Sequence, residues 1–290
     1  MEYNKEIPIL SEDELNTFYS DAKKLVFSDY KVSNKKNPIA ILTGGQPGAG
    51  KSGIVIKSRK NFQKLGIQPI ILDGDLYRGL YPNAKKIANQ TPDRYADITD
   101  IATGNVMSML IKDAINGGYN FIREGTLNSA DIVNQLLHSQ KGYKVVIRLL
   151  ATSREESILS CFERYILMKQ KTGIGRFVPI KSHDRRYEQF PKTAKEQREK
   201  GVPIEVYERG CITSEPTLLY SDMCINNKFE SFEEALIAGR QHSYEKCKNN
   251  ISDRIEQIEQ KLNEMNSNEK GIIAQLEQFK SEVIIEERER

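Results

Sequence analysis

Residues 38–52 read Pro38-Ile39-Ala40-Ile41-Leu42-Thr43-Gly44-Gly45-Gln46-Pro47-Gly48-Ala49-Gly50-Lys51-Ser52. The apolar run 38–43 has the character of a buried strand, and residues 52–65 are compatible with a helix. Between them Gly45, Gln46, Pro47, Gly48, Ala49, Gly50, Lys51 and Ser52 form the full Gly-x-x-x-x-Gly-Lys-Ser pattern. The glycines let backbone N–H groups wrap phosphates, Lys51 brings a cation to the β and γ oxygens, and Ser52 offers a hydroxyl to Mg²⁺. With a strand in front and a helix behind, the stretch predicts a nucleoside-triphosphate site with Mg²⁺, Ser52 being the metal-side ligand; the loop alone does not separate ATPase, GTPase and small-molecule kinase.

Outward from this loop, short apolar runs at 39–42, 69–72, 121–122, 145–151 and 223–225 alternate with helical patterns at 52–64, 95–116, 129–140, 153–171, 183–200 and 232–246. That rhythm predicts an α/β fold: a P-loop kinase-like parallel sheet with helices on both faces. Upstream, Ser11 and Glu14 have capping-box spacing. Leu10, Leu15, Phe18, Ala22 and Leu25 recur at helical intervals, giving one amphipathic helix that ends near Asn34–Pro38.

Downstream, Ile251, Ile255, Ile258, Leu262, Met265, Ile272, Leu276, Phe279 and Val283 follow alternating spacings of four and three, broken at Glu269. This predicts a C-terminal helical or coiled-coil extension, as a hairpin if the chain turns at 266–271. Heptad spacing does not name its partner, so self-association and docking on the catalytic body both stay open. Three segments result: an N-terminal helical segment over 1–36 packed on the core, a P-loop kinase domain over 37–246 with a lid near 169–182, and a tail over 247–290.

Composition narrows the class. A net charge of +3 over 290 residues, with bases scattered among acids, leaves no basic stripe for nucleic acid. No run approaches the ~18 apolar residues of a membrane span, and the N-terminus lacks the order of a signal peptide. A cytoplasmic protein is expected. Cys161, Cys211, Cys224 and Cys247 lie far apart with no C-x-x-C pair, so reduced thiols are expected. His138, His183 and His242 show no metal spacing and read as ordinary surface or core histidines.

The remaining carboxylates and arginines suggest the chemistry. Asp73-Gly74-Asp75 and Glu124-Gly125-Thr126 each follow a strand, at the carboxyl end where open α/β sheets bind ligands. A carboxylate there accepts a hydroxyl proton, although Asp73 or Asp75 also suits a helix cap or a Mg²⁺ ligand. Arg164 within a helix and Arg176 within the glycine-bearing stretch 169–176 are candidate cations for a transferring phosphoryl group. The competing readings are a surface ion pair for Arg164 and a solvated loop charge for Arg176.

The order of these motifs resembles the zeta toxin family, the kinase half of epsilon/zeta and PezA/PezT-like toxin–antitoxin systems. The resemblance runs from about Leu10 to Asp222. It rests on Gly44–Ser52, on Asp73-Gly74-Asp75 with Tyr81-Pro82-Asn83, on Gly118-Tyr119-Asn120-Phe121-Ile122-Arg123-Glu124-Gly125-Thr126, and on Glu163-Arg164-Tyr165. It implies an ATP-dependent kinase of the 3′-hydroxyl of the amino sugar of UDP-N-acetylglucosamine, or of a related UDP-sugar, held inactive by a small helical antitoxin that blocks the ATP site. It further implies Asp75 as base, Lys51 as phosphate clamp, Ser52 on Mg²⁺, and Glu124 and Thr126, with Asp73, on the sugar nucleotide. Arg164 and Arg176 would meet the transferred phosphoryl group.

Two positions depart from the family pattern. Ser108 stands where a further substrate-binding Glu is usual, with no carboxylate between Gly104 and Lys112, and Tyr81 stands where His is common before the proline. Two other readings therefore stay open. One is a P-loop kinase of a nucleoside, dinucleotide or antibiotic. The other is a nucleotide-gated interaction module working through the tail.

Overall fold

The computed structural model describes residues 9–28, 30, 37–211, 214–265 and 269–289. The expected helix end at 34–36 and part of the expected turn at 266–271 lie outside them. In chain order the described elements are α1 (Glu12–Phe27), β1 (Ile39–Gly44), α2 (Lys51–Lys64), β2 (Ile70–Asp73), α3 (Gly74–Arg78), α4 (Ala84–Gln90), α5 (Tyr95–Gly117) and β3 (Phe121–Glu124). There follow α6 (Asp131–Leu137), β4 (Lys144–Ala151), α7 (Arg154–Thr172), α8 (Ile180–Glu199), β5 (Ile204–Glu208), β6 (Thr217–Ser221), α9 (Phe232–Cys247), α10 (Ile251–Asn263) and α11 (Lys270–Glu289).

The strands form one sheet in the order β2-β3-β1-β4-β5-β6. β1 is buried along almost its whole length because helices cover both faces, which is why it reads as a continuous apolar run. β1 to β5 pair in parallel, so the α/β expectation is borne out, whereas β6 returns antiparallel along β5. β1 connects to β2 on one side while β4 lies on the other, making the carboxyl end of β1 a topological switch point. The phosphate loop opens there.

Residues 223–225 do not form the expected strand. Met223 and Ile225 are 56 % and 100 % exposed, and Asn227 folds the segment into a turn. Its amide donates to the carbonyls of Ser221 and Cys224, both at 3.0 Å, and its Oδ1 accepts from Ser221 N at 2.9 Å. β5 escapes the apolar pattern because Glu205 sits inside it. That carboxylate is buried against Arg148 Nε at 2.6 Å and accepts from the Tyr207 hydroxyl at 2.9 Å.

α1 begins with the expected capping box: Glu14 N donates to Ser11 Oγ at 3.3 Å and Ser11 N to the Glu14 carboxylate at 2.9 Å. Phe18, Ala22 and Val26 bury against the core, Phe18 meeting Tyr77 and Tyr81 edge-on at 6.2 and 6.0 Å. Leu25 is exposed, its expected place in the stripe taken by Val26, and the helix stops at Phe27.

A second apolar cluster joins the tail to the α/β body. Ile251, Ile255, Ile258 and Leu262 of α10 and Ile272, Leu276, Phe279 and Val283 of α11 close over Ile158, Phe162, Tyr165 and Ile166 of α7. The heptad stripe is thus covered within the chain, each fully buried side chain worth about 1.5–3 kcal/mol against exposure. Glu269, the break in the stripe, is 1 % exposed; its carboxylate accepts from the Tyr165 hydroxyl and lies 3.7 Å from Lys169 Nζ. Among the described residues no helix is long and apolar enough to cross a membrane.

Candidate active site

The loop between β1 and α2 is held from below. Gln46 is fully buried, its Nε2 donating to Thr152 O at 2.8 Å and Ser157 Oγ at 3.0 Å. Gly48 has φ +77°, and a Cβ there would collide with the Ser157 carbonyl, so glycine is required on both counts. From the outside, Arg209 Nη1 donates to Gly48 O at 3.1 Å and Ser160 Oγ at 2.8 Å. The helix N-terminus of α2 then presents its amides toward the cleft. Lys51 Nζ curls over this loop, donating to the carbonyls of Gly45 at 3.1 Å and Gln46 at 2.8 Å. Burial lowers the ammonium pKa to about 8, with Glu124 opposing the shift.

Opposite the loop stand the carboxylates. Asp73 and Glu124 are register partners at the carboxyl ends of β2 and β3. Asp73 is the N-cap of α3, accepting from Asp75 N at 3.0 Å, and its carboxyl is pushed up by burial and by Asp75. Glu124 is raised to about 6, by burial first and then by Asp73; its Oε1 lies 3.4 Å from Ser52 Oγ.

Asp75 has a different environment. Arg176 Nη1 lies 3.0 Å from its carboxylate, Arg78 Nε 3.5 Å and Arg164 Nη1 3.7 Å. Burial alone would raise Asp75, but Arg176, Arg164 and Arg78 outweigh it and hold the carboxyl well below the usual range. Arg164 Nε and Nη2 are buried with no hydrogen-bond partner. Arg176 belongs to the connection 173–179, which is anchored rather than loose. The adjacent Phe177 is fully buried, its ring 5.0 Å from Phe162 and 6.0 Å from Tyr165.

One cleft of about 440 Å³ brings together Pro47, Lys51, Asp73, Asp75, Ser108, Glu124, Thr126, Arg164 and Arg176, with Ser52 at its edge through Glu124. Its size suits a small ligand. Ser108 faces it, but its hydroxyl donates back to Gly104 O at 2.9 Å. Several lining residues have no role in the sequence reading, among them the charged side chains Arg78, Asp100, Arg123 and Arg186. Asp100 binds Arg78 Nη2 at 2.7 Å and lies 3.9 Å from Arg176 and 3.8 Å from Arg186, organising the cationic side. Arg209 is likewise missed. None of these stands in a local pattern, apart from Arg123 inside the Gly118–Thr126 block.

The histidines and cysteines stay out of the chemistry. His183 is a buried core residue, its ring nitrogens 2.9 Å from Ser157 Oγ and 2.9 Å from Asp184 Oδ1. None of the four cysteines is joined in a disulfide. Among the described residues no cluster of three or more His, Cys, Asp or Glu is placed to hold a metal ion.

The family model described as Zeta toxin matches residues 23–215. The chain is similar to toxin PezT of Streptococcus pneumoniae serotype 4, at 34 % identity over 154 residues covering 52 % of this chain and 60 % of PezT. It therefore spans less than two thirds of that relative. Toxin zeta of Enterococcus hirae is 26 % identical over 245 residues, covering 80 % of this chain and 79 % of that protein. Among solved structures, one from the PezAT chromosomal toxin–antitoxin system of S. pneumoniae superposes with a TM-score of 0.65 at 25 % identity, over 87 % of this chain and 99 % of that one.

Proposed function

This chain belongs to the zeta toxin family, and from that premise we propose that it is a cytoplasmic, ATP-dependent kinase of a UDP-sugar hydroxyl, of the UDP-N-acetylglucosamine class, acting as a zeta-type toxin. The observation that carries this reading is the convergence on one cleft of the phosphate-loop Lys51 with Asp75 and its arginines, Arg164 and Arg176. A nucleotide-gated binding module has no need of a carboxylate and two guanidiniums aimed into the space beside its phosphate loop.

In this reading Lys51 exchanges the Gly45 and Gln46 carbonyls for phosphate oxygens. Ser52 beside Glu124 is an all-oxygen donor pair, which fits Mg²⁺, an ion that keeps several waters and binds through few protein ligands. Mg²⁺-ATP, when bound, supplies the phosphoryl group and neutralises part of its charge. Asp75 orients the acceptor hydroxyl and takes its proton. Because its carboxyl is held low, that transfer comes late, as suits a loose phosphoryl-transfer transition state in which the nucleophile has little bond to the phosphorus. Arg164 and Arg176 meet the charge on the phosphoryl oxygens.

A small helical antitoxin covering the ATP site belongs to the same proposal, supported by the toxin–antitoxin system named for the PezAT structure. The test is incubation of the purified protein with Mg²⁺-ATP and a panel of UDP-sugars, nucleosides and dinucleotides, read by mass spectrometry. A UDP-sugar should gain one phosphate, and Lys51→Ala should abolish the gain. Phosphorylation of a nucleoside or dinucleotide alone, or ATP-dependent partner binding without transfer to any small molecule, would overturn the reading.

A further inference from the structure

The connection from α7 to α8 carries Arg176, and two side chains fix its course. In its middle the backbone of Gly175 lies against the Tyr165 ring: a Cβ at 175 would meet Cε2 at 2.5 Å and Cδ2 at 2.7 Å. Phe177, on the other side of Arg176 in the chain, meets the same ring edge-on at 6.0 Å. Tyr165 therefore sets where residues 175–177 run. At the end of the connection Ile180 N, an amide of the first turn that α8 itself leaves unpaired, donates to Gln275 Oε1 of α11 at 2.9 Å.

The Tyr165 ring is in turn held from the tail. The side chain is fully buried, and its hydroxyl donates to the carboxylate of Glu269, immediately ahead of α11. The other oxygen of that carboxylate lies 3.7 Å from Lys169 Nζ. Two residues on, Gly271 packs so closely on Asp93 that a Cβ would meet its Oδ2 at 2.5 Å, which fixes the start of α11 against the body. Glu269 occupies a place in the heptad stripe that an apolar side chain would fill, and burying a carboxylate is costly unless it is paired. The stripe gains nothing from a charge here, whereas the Tyr165 hydroxyl gains an acceptor.

We propose that Glu269, acting through Tyr165, is a positioning residue for Arg176, so that the C-terminal tail sets the geometry of the phosphoryl-transfer site as well as covering α7. This rests on the kinase reading above. In that reading Asp75 turns to the acceptor hydroxyl, the ion pair that holds the Arg176 head group loosens, and the placement of the guanidinium then depends on the backbone of 175–177 and the ring beneath it. Misplacing a reacting group by about 1 Å can cost about 10²-fold in rate. The alternative is that Glu269 only neutralises Lys169 and starts α11, in which case its loss changes stability and leaves transfer alone.

Three variants of the full chain separate the two. Glu269→Leu completes the apolar stripe and removes the acceptor, Glu269→Gln keeps an acceptor, and Tyr165→Phe keeps the ring without its hydroxyl. With Mg²⁺-ATP and UDP-N-acetylglucosamine, single-turnover transfer should fall about 10–100-fold in Glu269→Leu and in Tyr165→Phe and recover most of the wild-type rate in Glu269→Gln. ATP affinity and melting temperature should stay near wild type in Glu269→Leu. Added to Arg176→Ala, Glu269→Leu should cost almost nothing further, because its effect passes through Arg176. An equal loss in both backgrounds overturns the proposal, as does wild-type transfer in either Glu269→Leu or Tyr165→Phe.

Hydrogen exchange on the protein without ligands distinguishes a failure of this proposal from a failure of the kinase reading. Amides over 173–180 should exchange about 10-fold faster in Glu269→Leu than in wild type, while those of α10 keep their protection. Unchanged exchange over that stretch overturns the positioning role whatever the activity. Faster exchange confined to it, in a protein that transfers phosphate to no small molecule, would instead sink the kinase reading and leave the hold of Glu269 on the Arg176 connection standing.

Discussion

Arg176 Nη1 lies 3.0 Å from Asp75 Oδ1 and 3.1 Å from Oδ2, joining the cation of the expected lid to the expected base. Sequence separates these residues by 101 positions; the fold brings them into contact because the connection after α7 doubles back along that helix, Gly175 lying against Tyr165 and Phe177 against Phe162. With Phe177 buried next to it, Arg176 is held in place, which in the proposed reaction is the condition for electrostatic preorganisation.

Replacing Asp75 by Asn should cut phosphoryl transfer by about 10²–10⁴-fold, the usual worth of a general base. ATP affinity should hold or improve, since Arg164 and Arg176 lose a competing anion. Asp73→Asn retains a good N-cap and should lose far less. Single-turnover rates on both variants decide the assignment; an equal loss in Asp73→Asn would move the base to Asp73.

Arg176→Ala should slow transfer by up to about 10³–10⁵-fold, in the range known for arginines that meet the phosphoryl group, while ATP binding changes little. Arg164→Ala, measured beside it, tests the second cation. A wild-type chemical step in the Arg176 variant would leave Arg164 as the remaining candidate and reduce Arg176 to a partner of Asp75.

Lys51 should make nucleotide binding pH-dependent. Its pKa is lowered to about 8 from an ordinary 10.5, chiefly by burial, and phosphates restore the charged form. The complex therefore binds a proton that the free protein begins to lose near pH 8, so ATP affinity should fall as pH rises through 8 toward 10. Proton uptake at pH 8.5, measured by calorimetry in buffers of different ionisation enthalpy, should be positive in wild type and vanish in Lys51→Met. Affinity that stays flat to pH 10 would contradict the burial of this ammonium.

The tail should be inseparable from the α/β body. Phe279 is fully buried against the α7 cluster, so Phe279→Ala should cost about 3–5 kcal/mol and lower the melting temperature. Truncation after Lys246 would uncover Ile158, Phe162 and Tyr165 on the helix that carries Arg164, and should yield protein that aggregates or turns over poorly. A truncated chain with unchanged melting temperature and turnover would show that the stripe contributes nothing to the body.

Much of the architecture is legible because its signals are local. The phosphate loop declares itself through glycines whose φ values and close approaches no other residue tolerates, and β1 through an apolar run that only a sheet covered on both faces requires. The elements that escape notice are those where a charge is neutralised by a distant partner. β5 hides behind Glu205, which Arg148 pairs from another strand, and the turn after β6 looks apolar until Asn227 claims its backbone.

The sequence by itself determined β1 to β4 and the long helices around them, the phosphate loop and the set of carboxylates at strand ends, since each depends on contacts within a few residues. Tertiary structure alone decided that Asp75 rather than Asp73 faces three guanidiniums, that Asp100 organises Arg78, Arg176 and Arg186, and that the heptad stripe folds back over α7. Those outcomes depend on which side chains meet across the sheet and between helices. Periodicity tells which face of a helix is apolar, but only the packed chain supplies the surface that covers it.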